Sequence, residues 1–285
     1  MNRKLAYVCL LGIPNSGKST LFNLILDQKI SIVTHKIHTT RDNIKGIITE
    51  NNTQLIFIDT PGFLKSPKFK LEKAIVKKAL QEINSADFLC IIIDAARKNC
   101  LDNALLDHNY LKLKKKPILI FNKVDLIQDK TKLLLLSQNA KGKGFDQIFM
   151  ISALKNKGVE KFRKYLIDNA PRGEWHYDEN EITDRSIRQL AEDITREKLY
   201  ELLNQEIPYS LKVETESWKE TKDEVTIYQA ITVLRNNQKK IILGTKGEQI
   251  KKVRVLARED ISKLTNKKIY LYLFIKVREN WMDRL

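Results

Sequence analysis

The sequence predicts an α/β protein in two parts: a mostly parallel sheet covered by helices on both faces, then a smaller α+β unit. Three observations carry this. Short apolar runs alternate with amphipathic helical patterns over residues 1–170. A glycine-rich turn follows the first apolar run and opens a helix. Beyond Pro171 the charge reverses sign and the pattern becomes helix, two strands, helix, helix, strand.

The size and charge fit that division. A chain of 285 residues, 42% hydrophobic, is long enough for about two domains of roughly 100–200 residues, each with its own core. Residues 1–172 carry 30 Lys+Arg against 15 Asp+Glu, residues 173–234 carry 7 against 15, and residues 235–285 carry 14 against 5. Basic, acidic and basic blocks follow one another. Excess positive charge favours polyanions such as RNA or an anionic membrane surface. The longest apolar run, 88-FLCIII-93, is far short of the ~20 residues a membrane helix needs. The N-terminus enters a strand-like run within a few residues, so no signal peptide is expected. Cys9, Cys90 and Cys100 have no metal-binding spacing, which suits a reducing compartment.

The first part should contain strands near 5–11, 44–49, 54–59, 87–94, 117–122 and 147–152, with a helix such as 72-EKAIVKKALQEI-83 between strands. In such sheets ligands bind at the carboxyl ends of the strands, and four motifs fall there. Gly12-Ile13-Pro14-Asn15-Ser16-Gly17-Lys18-Ser19-Thr20 contains G-x-x-x-x-G-K-S between a strand and the helix 18-KSTLFNLIL-26. Its glycines let backbone N–H groups turn around phosphate oxygens, and the helix N-terminus adds partial positive charge. Lys18 would reach the β and γ phosphates, and Ser19 would offer its hydroxyl to magnesium.

Asp59-Thr60-Pro61-Gly62 ends another strand. The carboxylate of Asp59 can hold magnesium through a water, and the Gly62 N–H can meet the γ phosphate. Asn122-Lys123-Val124-Asp125 follows. Asp125 can accept hydrogen bonds from both donors on the guanine edge, the Lys123 stem can lie over the base, and Asn122 can tie loops together. Ser152-Ala153-Leu154 forms a candidate base-contacting loop after the last strand.

In order and spacing these motifs resemble a guanine-nucleotide-binding GTPase of the translation-factor-related class. The resemblance implies a switch at 31-SIVTHKIHTTRD-42, in which Thr39 or Thr40 closes on magnesium and the γ phosphate, with Thr40 preferred. His35 and His38 there read as a solvated loop. Phe63 occupies the place of the water-orienting glutamine of Ras-like proteins and cannot hydrogen-bond a water. Three outcomes follow: no hydrolysis, slow hydrolysis by backbone groups, or completion of the site by a partner or cation. The last two are favoured, because the phosphate site is otherwise intact. GTPases with a similar G-x-P-N-x-G-K-S loop use the asparagine, here Asn15, to hold potassium near the phosphates. Lys18, Asn15, Thr40 and Gly62 are then the candidate catalytic set, with Ser19, Thr40 and Asp59 on magnesium.

After 171-PRGEWHYDENEITD-184, which reads as a linker, a helix is expected near 184–205, capped by Thr183 or Asp184. Strands near 209–217 and 224–235 follow. Gly244-Thr245-Lys246-Gly247 then joins two helical segments. A G-x-x-G turn lets backbone approach a sugar-phosphate chain, flanking lysines supply charge, and the next helix points its N-terminus at phosphate. The order of elements around this turn resembles a type-2 KH domain. In the last strand, 269-IYLYLFIKV-277, Tyr270, Tyr272 and Phe274 share one face, and packing under helices is preferred to base stacking for them.

The pairing of GTPase and KH-like patterns, with 181-EITDRSIRQLAEDITREKL-199, 207-IPYS-210 and 238-QKKIILGTKGEQIKK-252, resembles the Era family of bacterial ribosome-assembly GTPases over nearly the whole chain. It implies a P-loop GTPase domain at 1–172, a linker at 173–184 and a KH domain at 185–285. It also implies binding of GTP or GDP with Mg2+, slow GTP hydrolysis, binding of 16S ribosomal RNA near its 3′ end, and action in 30S subunit assembly. A monomer is expected, cytoplasmic and partly peripheral on the inner face of the cell membrane. By position, Lys240, Gly244, Thr245, Lys246, Gly247, Lys251 and Lys252 would meet RNA. Val253-Arg254 departs from an expected Ile-Gly, so helix packing there could differ, and little of the family's usual tail follows Trp281. The rival class is a signalling or membrane-associated GTPase whose second domain binds protein or lipid.

Overall fold

The computed structural model describes residues 3–33, 44–60, 85–101, 116–203 and 211–279. The expected helix at 72–83 and the stretches 207–210 and 280–285 lie outside the described residues. The chain divides into two units, Met1–Asp184 and Arg185–Leu285.

The first unit is built on a six-stranded sheet of order β2-β3-β1-β4-β5-β6. The strands are β1 (Lys4–Gly12), β2 (Ile44–Glu50), β3 (Thr53–Asp59), β4 (Phe88–Asp94), β5 (Ile118–Asn122) and β6 (Ile148–Met150). All pairs are parallel except β2–β3, a hairpin turning at Asn51, whose φ is 51°. Strands β3, β4 and β5 are buried almost end to end, as a sheet covered on both faces requires. The described helices are α1 (Lys18–Leu26), α2 (Thr131–Gly142) and α3 (Val159–Asn169). Consecutive parallel strands lie on opposite sides of β1, and the first motif loop leaves β1 at that reversal, where such sheets open a crevice.

Residues 173–184, expected as a linker, belong to this first unit. Buried Gln54 accepts from the N–H groups of His176 (2.9 Å) and Tyr177 (3.1 Å) and donates to the Tyr177 carbonyl (2.9 Å). The Arg3 guanidinium lies over Trp175 at 4.6 Å. Further along, the Ile47 N–H donates to Ile182 O, and the Thr183 hydroxyl donates to Lys45 O. A polar composition reads as solvated chain, but here its backbone groups find partners on the sheet.

The second unit holds α4 (Ile187–Leu202), β7 (Lys212–Glu220), β8 (Glu224–Val233), α5 (Asn236–Leu243), α6 (Glu248–Thr265) and β9 (Lys268–Val277), in the expected order. Its sheet runs β7-β8-β9, antiparallel then parallel. Ala191 and Ile194 of α4 and Ala257 and Ile261 of α6 pack on Val225, Ile227, Ile269 and Leu271. Two expectations need correction. Ser186, not Thr183 or Asp184, caps α4, in a capping box with Gln189. The aromatic face of β9 does not lie under helices: Tyr270 and Tyr272 are 36% and 45% exposed, and Tyr272 stacks on Tyr228 with centroids 4.8 Å apart. The departure at Val253-Arg254 is absorbed, since Val253 is fully buried and Arg254 points to solvent.

Candidate functional site

At the end of β1, Gly12 has no room for a side chain: a Cβ would sit 2.4 Å from Ser16 Oγ and 2.7 Å from the Ile92 carbonyl. Gly17 caps α1 with φ 93°, and its Cβ would meet Asn122 Nδ2 at 2.2 Å. Both glycines are therefore required by space, and Gly17 by backbone conformation as well. Asn15 also turns through positive φ, 64°. Ile13 packs partly against the core beside β4 and β5, which anchors the loop. Pro14 is half-buried, and Thr20 lies half-buried in the first turn of α1.

Lys18 is buried, with Nζ donating to the carbonyls of Gly12 (3.0 Å) and Ile13 (3.3 Å). Burial lowers its pKa to about 8, with Asp59 pulling the other way. Asp59 is fully buried at the end of β3, and burial raises its pKa against the opposing effects of Lys18, Ser31 and Ser19. Ser19 donates to Asp59 Oδ2 at 2.8 Å, while Oδ1 is buried without a hydrogen-bond partner. A buried carboxylate oxygen left open beside a hydroxyl and below a phosphate cradle fits a magnesium site built from Ser19 and Asp59. Thr60 turns its hydroxyl away from that site, donating to Leu10 O at 2.7 Å.

Phosphate binding favours the charged ammonium of Lys18. Above about pH 8 the free protein has lost that proton and the complex has regained it. GDP affinity should then fall as pH rises through this range, with proton uptake on binding. Calorimetry in two buffers of different ionisation enthalpy checks it. Uptake is expected at about pH 8.5 and absent at about pH 6.5.

Asn122 ties three motifs together. Its Nδ2 donates to Ser16 O (2.9 Å), and its Oδ1 accepts from the N–H groups of Lys123 (2.8 Å) and Ala153 (3.0 Å). Lys123 has φ 63°, and its ammonium pairs with Asp94 at the end of β4, 2.8 Å away. Asp94 was not singled out in the sequence, although it ends the most apolar strand and pairs in register with Asn122. Asp125 is exposed on a 3-10 turn over Val124–Leu126. Ser152 is buried and accepts from the Lys155 N–H, Ala153 is buried, and Leu154 is 75% exposed. Thr39, Thr40, His35, His38, Pro61, Gly62 and Phe63 lie outside the described residues.

In the second unit, Gly244 (φ 70°, ψ −179°) ends α5, and a 3-10 turn over Thr245–Gly247 leads into α6. Lys246 and Gly247 both have positive φ, 50° and 78°. Gln249 reaches from α6 to donate to Leu202 O at the end of α4, 2.7 Å away. Lys240, Thr245, Lys246, Lys251 and Lys252 are all exposed around this turn.

Phosphate cradle, open carboxylate and the Asn122–Asp125 turn converge at one end of one sheet, an arrangement that fits a P-loop guanine-nucleotide-binding protein, here carrying a KH unit. Residues 7–123 match the family model described as 50S ribosome-binding GTPase, and residues 206–282 match that of the KH domain. The chain is 47% identical to GTPase Era of Mesorhizobium japonicum, covering 97% of this chain and 89% of that one. With GTPase Era of Brucella melitensis the identity is 45%, covering 96% and 88%. The chain belongs to the Era family of GTPases. Among solved structures, Era in complex with MgGDPNP and nucleotides 1506–1542 of 16S ribosomal RNA matches with a TM-score of 0.91 at 34% identity, covering 99% of this chain and 96% of that one. A point variant of Aquifex aeolicus Era bound to GDP and aluminium fluoride matches equally, at 34% identity and a TM-score of 0.91.

Proposed function

We propose that this protein hydrolyses GTP and uses the cycle to regulate its hold on 16S ribosomal RNA near the 3′ end during assembly of the 30S subunit. The observation that carries this reading is the G-x-K-G turn, with its exposed lysines and left-handed backbone at Lys246 and Gly247, on the same chain as an intact phosphate cradle. The match to Era bound to that RNA segment supports it. The backbone N–H groups of residues 15–19 and the ammonium of Lys18 hold phosphate oxygens, and Asp125 selects guanine. Thr40 and Gly62 close on the γ phosphate. Magnesium, held by Ser19, Thr40 and Asp59, supplies positive charge where negative charge develops. Contacts through Ile13, Pro14, Ser16, Thr20, Thr60, Pro61, Ser152, Ala153 and Leu154 complete the nucleotide pocket. The protein acts as a cytoplasmic monomer with some peripheral association at the inner membrane face.

A short RNA matching the 16S 3′ end tests this by filter binding with GDP and with a non-hydrolysable GTP analogue. Nucleotide-dependent, salt-sensitive binding is expected. Weak binding indifferent to both nucleotide and RNA sequence, alongside tight binding to anionic vesicles, would favour the signalling or membrane reading.

Hydrolysis with Phe63 in place of a glutamine needs another source of transition-state charge. Potassium held by Asn15 supplies it in this reading. Turnover in potassium chloride should exceed that in sodium chloride at equal ionic strength by about tenfold or more, against the 10³–10⁵ of an arginine finger. Asn15→Ala should remove the difference. Equal rates in the two salts would sink the cation role.

A further inference from the structure

Asp59 Oδ2 receives two hydroxyls. Ser19 is one. The other is Ser31, fully buried, whose Oγ donates at 2.7 Å. Nothing in the phosphate-loop pattern calls for Ser31, which lies 28 residues before Asp59 in the chain. Its position is fixed independently of Asp59. Asn23, on α1, accepts from the N–H groups of Ile30 (3.0 Å) and Ser31 (2.8 Å) through Oδ1, and donates to Ser31 O (2.8 Å) through Nδ2. One amide thus satisfies three backbone groups and holds the Ser31 hydroxyl against the carboxylate.

A buried carboxylate needs donors, and a carboxylate with both donors on one oxygen presents the other. That other oxygen, Oδ1, is the buried atom without a hydrogen-bond partner. Ser19 can donate its single hydrogen to Asp59 and keep lone pairs for a cation. Ser31 likewise commits its single hydroxyl hydrogen to Asp59 Oδ2.

We propose that Ser31 is a positioning residue for the magnesium side of the nucleotide site, its hydroxyl fixing the Asp59 carboxylate so that Oδ1 stays available to the cation or its water. This rests on reading Ser19 and Asp59 as the magnesium residues. Groups that orient metal-binding side chains through a hydrogen bond are worth about 10–100-fold in metal affinity. Ser31 is also the first residue of the segment 31–42 that the sequence reads as a switch. The Asn23 clamp and the Ser31 hydroxyl therefore link the start of that segment to the carboxylate.

The test uses Ser31→Ala in the full-length protein. The substitution removes one hydroxyl and leaves the Asn23 bonds, which are to backbone, in place. Release of a fluorescent GDP analogue is followed across a magnesium titration and in excess EDTA. The magnesium concentration giving half-maximal retention should rise by about tenfold, while the release rate in EDTA stays within about twofold of wild type. The EDTA arm reports whether the phosphate loop is still folded. An unchanged magnesium midpoint overturns the inference. So does release that accelerates equally with and without magnesium, because Ser31 would then only shape the loop. If wild-type release itself ignored magnesium, the reading of Ser19 and Asp59 would fall first, and that outcome is distinguishable from either of the others.

Discussion

Asp125→Asn should lower GTP and GDP affinity by about 10³-fold or more and raise affinity for xanthine nucleotides. Guanine offers two donors side by side, N1–H and the exocyclic amine, and a carboxylate accepts both. An amide presents one acceptor and one donor. Against guanine its NH₂ faces the exocyclic amine, so two donors meet and neither is satisfied. Xanthine has a carbonyl where guanine has the amine, and the same amide then matches it. Asp125 is exposed on its 3-10 turn, so the substitution should leave stability within about 0.5 kcal/mol. Loss of GDP binding then reports the base contact and not unfolding. Competition of GDP and XDP against a fluorescent nucleotide measures it. A variant that keeps GDP within about threefold and does not gain XDP would remove Asp125 from the base site. The turn carrying Asp125 is fastened by Asn122 to Ser16 and Ala153 and by the Lys123–Asp94 pair to β4. A base contacted by Asp125 would then be read from the same frame that fixes the phosphate loop, as precise recognition requires.

The frame was legible in the sequence for a simple reason. Buried parallel strands must be apolar along their whole length, so 88-FLCIIID-94 and 117-PILIFN-122 announce themselves, and motif residues at their ends inherit a known place. Other features had no such signal. Ser31 meets Asp59 through a loop, where no periodicity links the two. Residues 173–184 read as solvated linker because composition does not reveal that Gln54, Lys45 and Ile47 offer partners to their backbone and side chains. Thr183 and Asp184 were the expected caps of α4, but the cap is Ser186, the residue with Gln189 three positions on. The alternation in β9 correctly separated two faces but not which of them the helices cover. That depends on α4 and α6 packing against Ile269 and Leu271, a tertiary fact. Thr60 belongs to a nucleotide motif, yet its hydroxyl serves the neighbouring strand.

The two glycines of the KH turn should separate function from folding. Gly247 has φ 78°, and a Cβ built there meets nothing within 4 Å. The cost of a side chain is the left-handed backbone alone, about 1–2 kcal/mol, and Asp is among the residues that tolerate it best. Gly247 is also the N-cap of α6, a position that favours Asp. Gly247→Asp should therefore fold. Its carboxylate would occupy the helix N-terminus that a phosphate needs and repel the RNA backbone, lowering RNA affinity by about 100-fold, since one such contact with charge reversal is worth several kcal/mol. Gly244 differs in both respects. At φ 70° and ψ −179° it sits in a region that is essentially glycine-only, and a Cβ would lie 2.6 Å from Gln249 Cβ, the side chain that closes onto Leu202. Gly244→Ala should cost about 2–4 kcal/mol in unfolding of the second unit, from strain and overpacking together. Denaturant unfolding beside RNA filter binding distinguishes the pair. A stable Gly247→Asp protein that binds RNA as wild type would mean the turn does not face the nucleic acid. The exposed lysines supply a graded control. Lys246→Ala should weaken RNA binding uniformly across sequences and reduce the slope of log affinity against log salt by about 0.7, the value for one phosphate contact on a single strand.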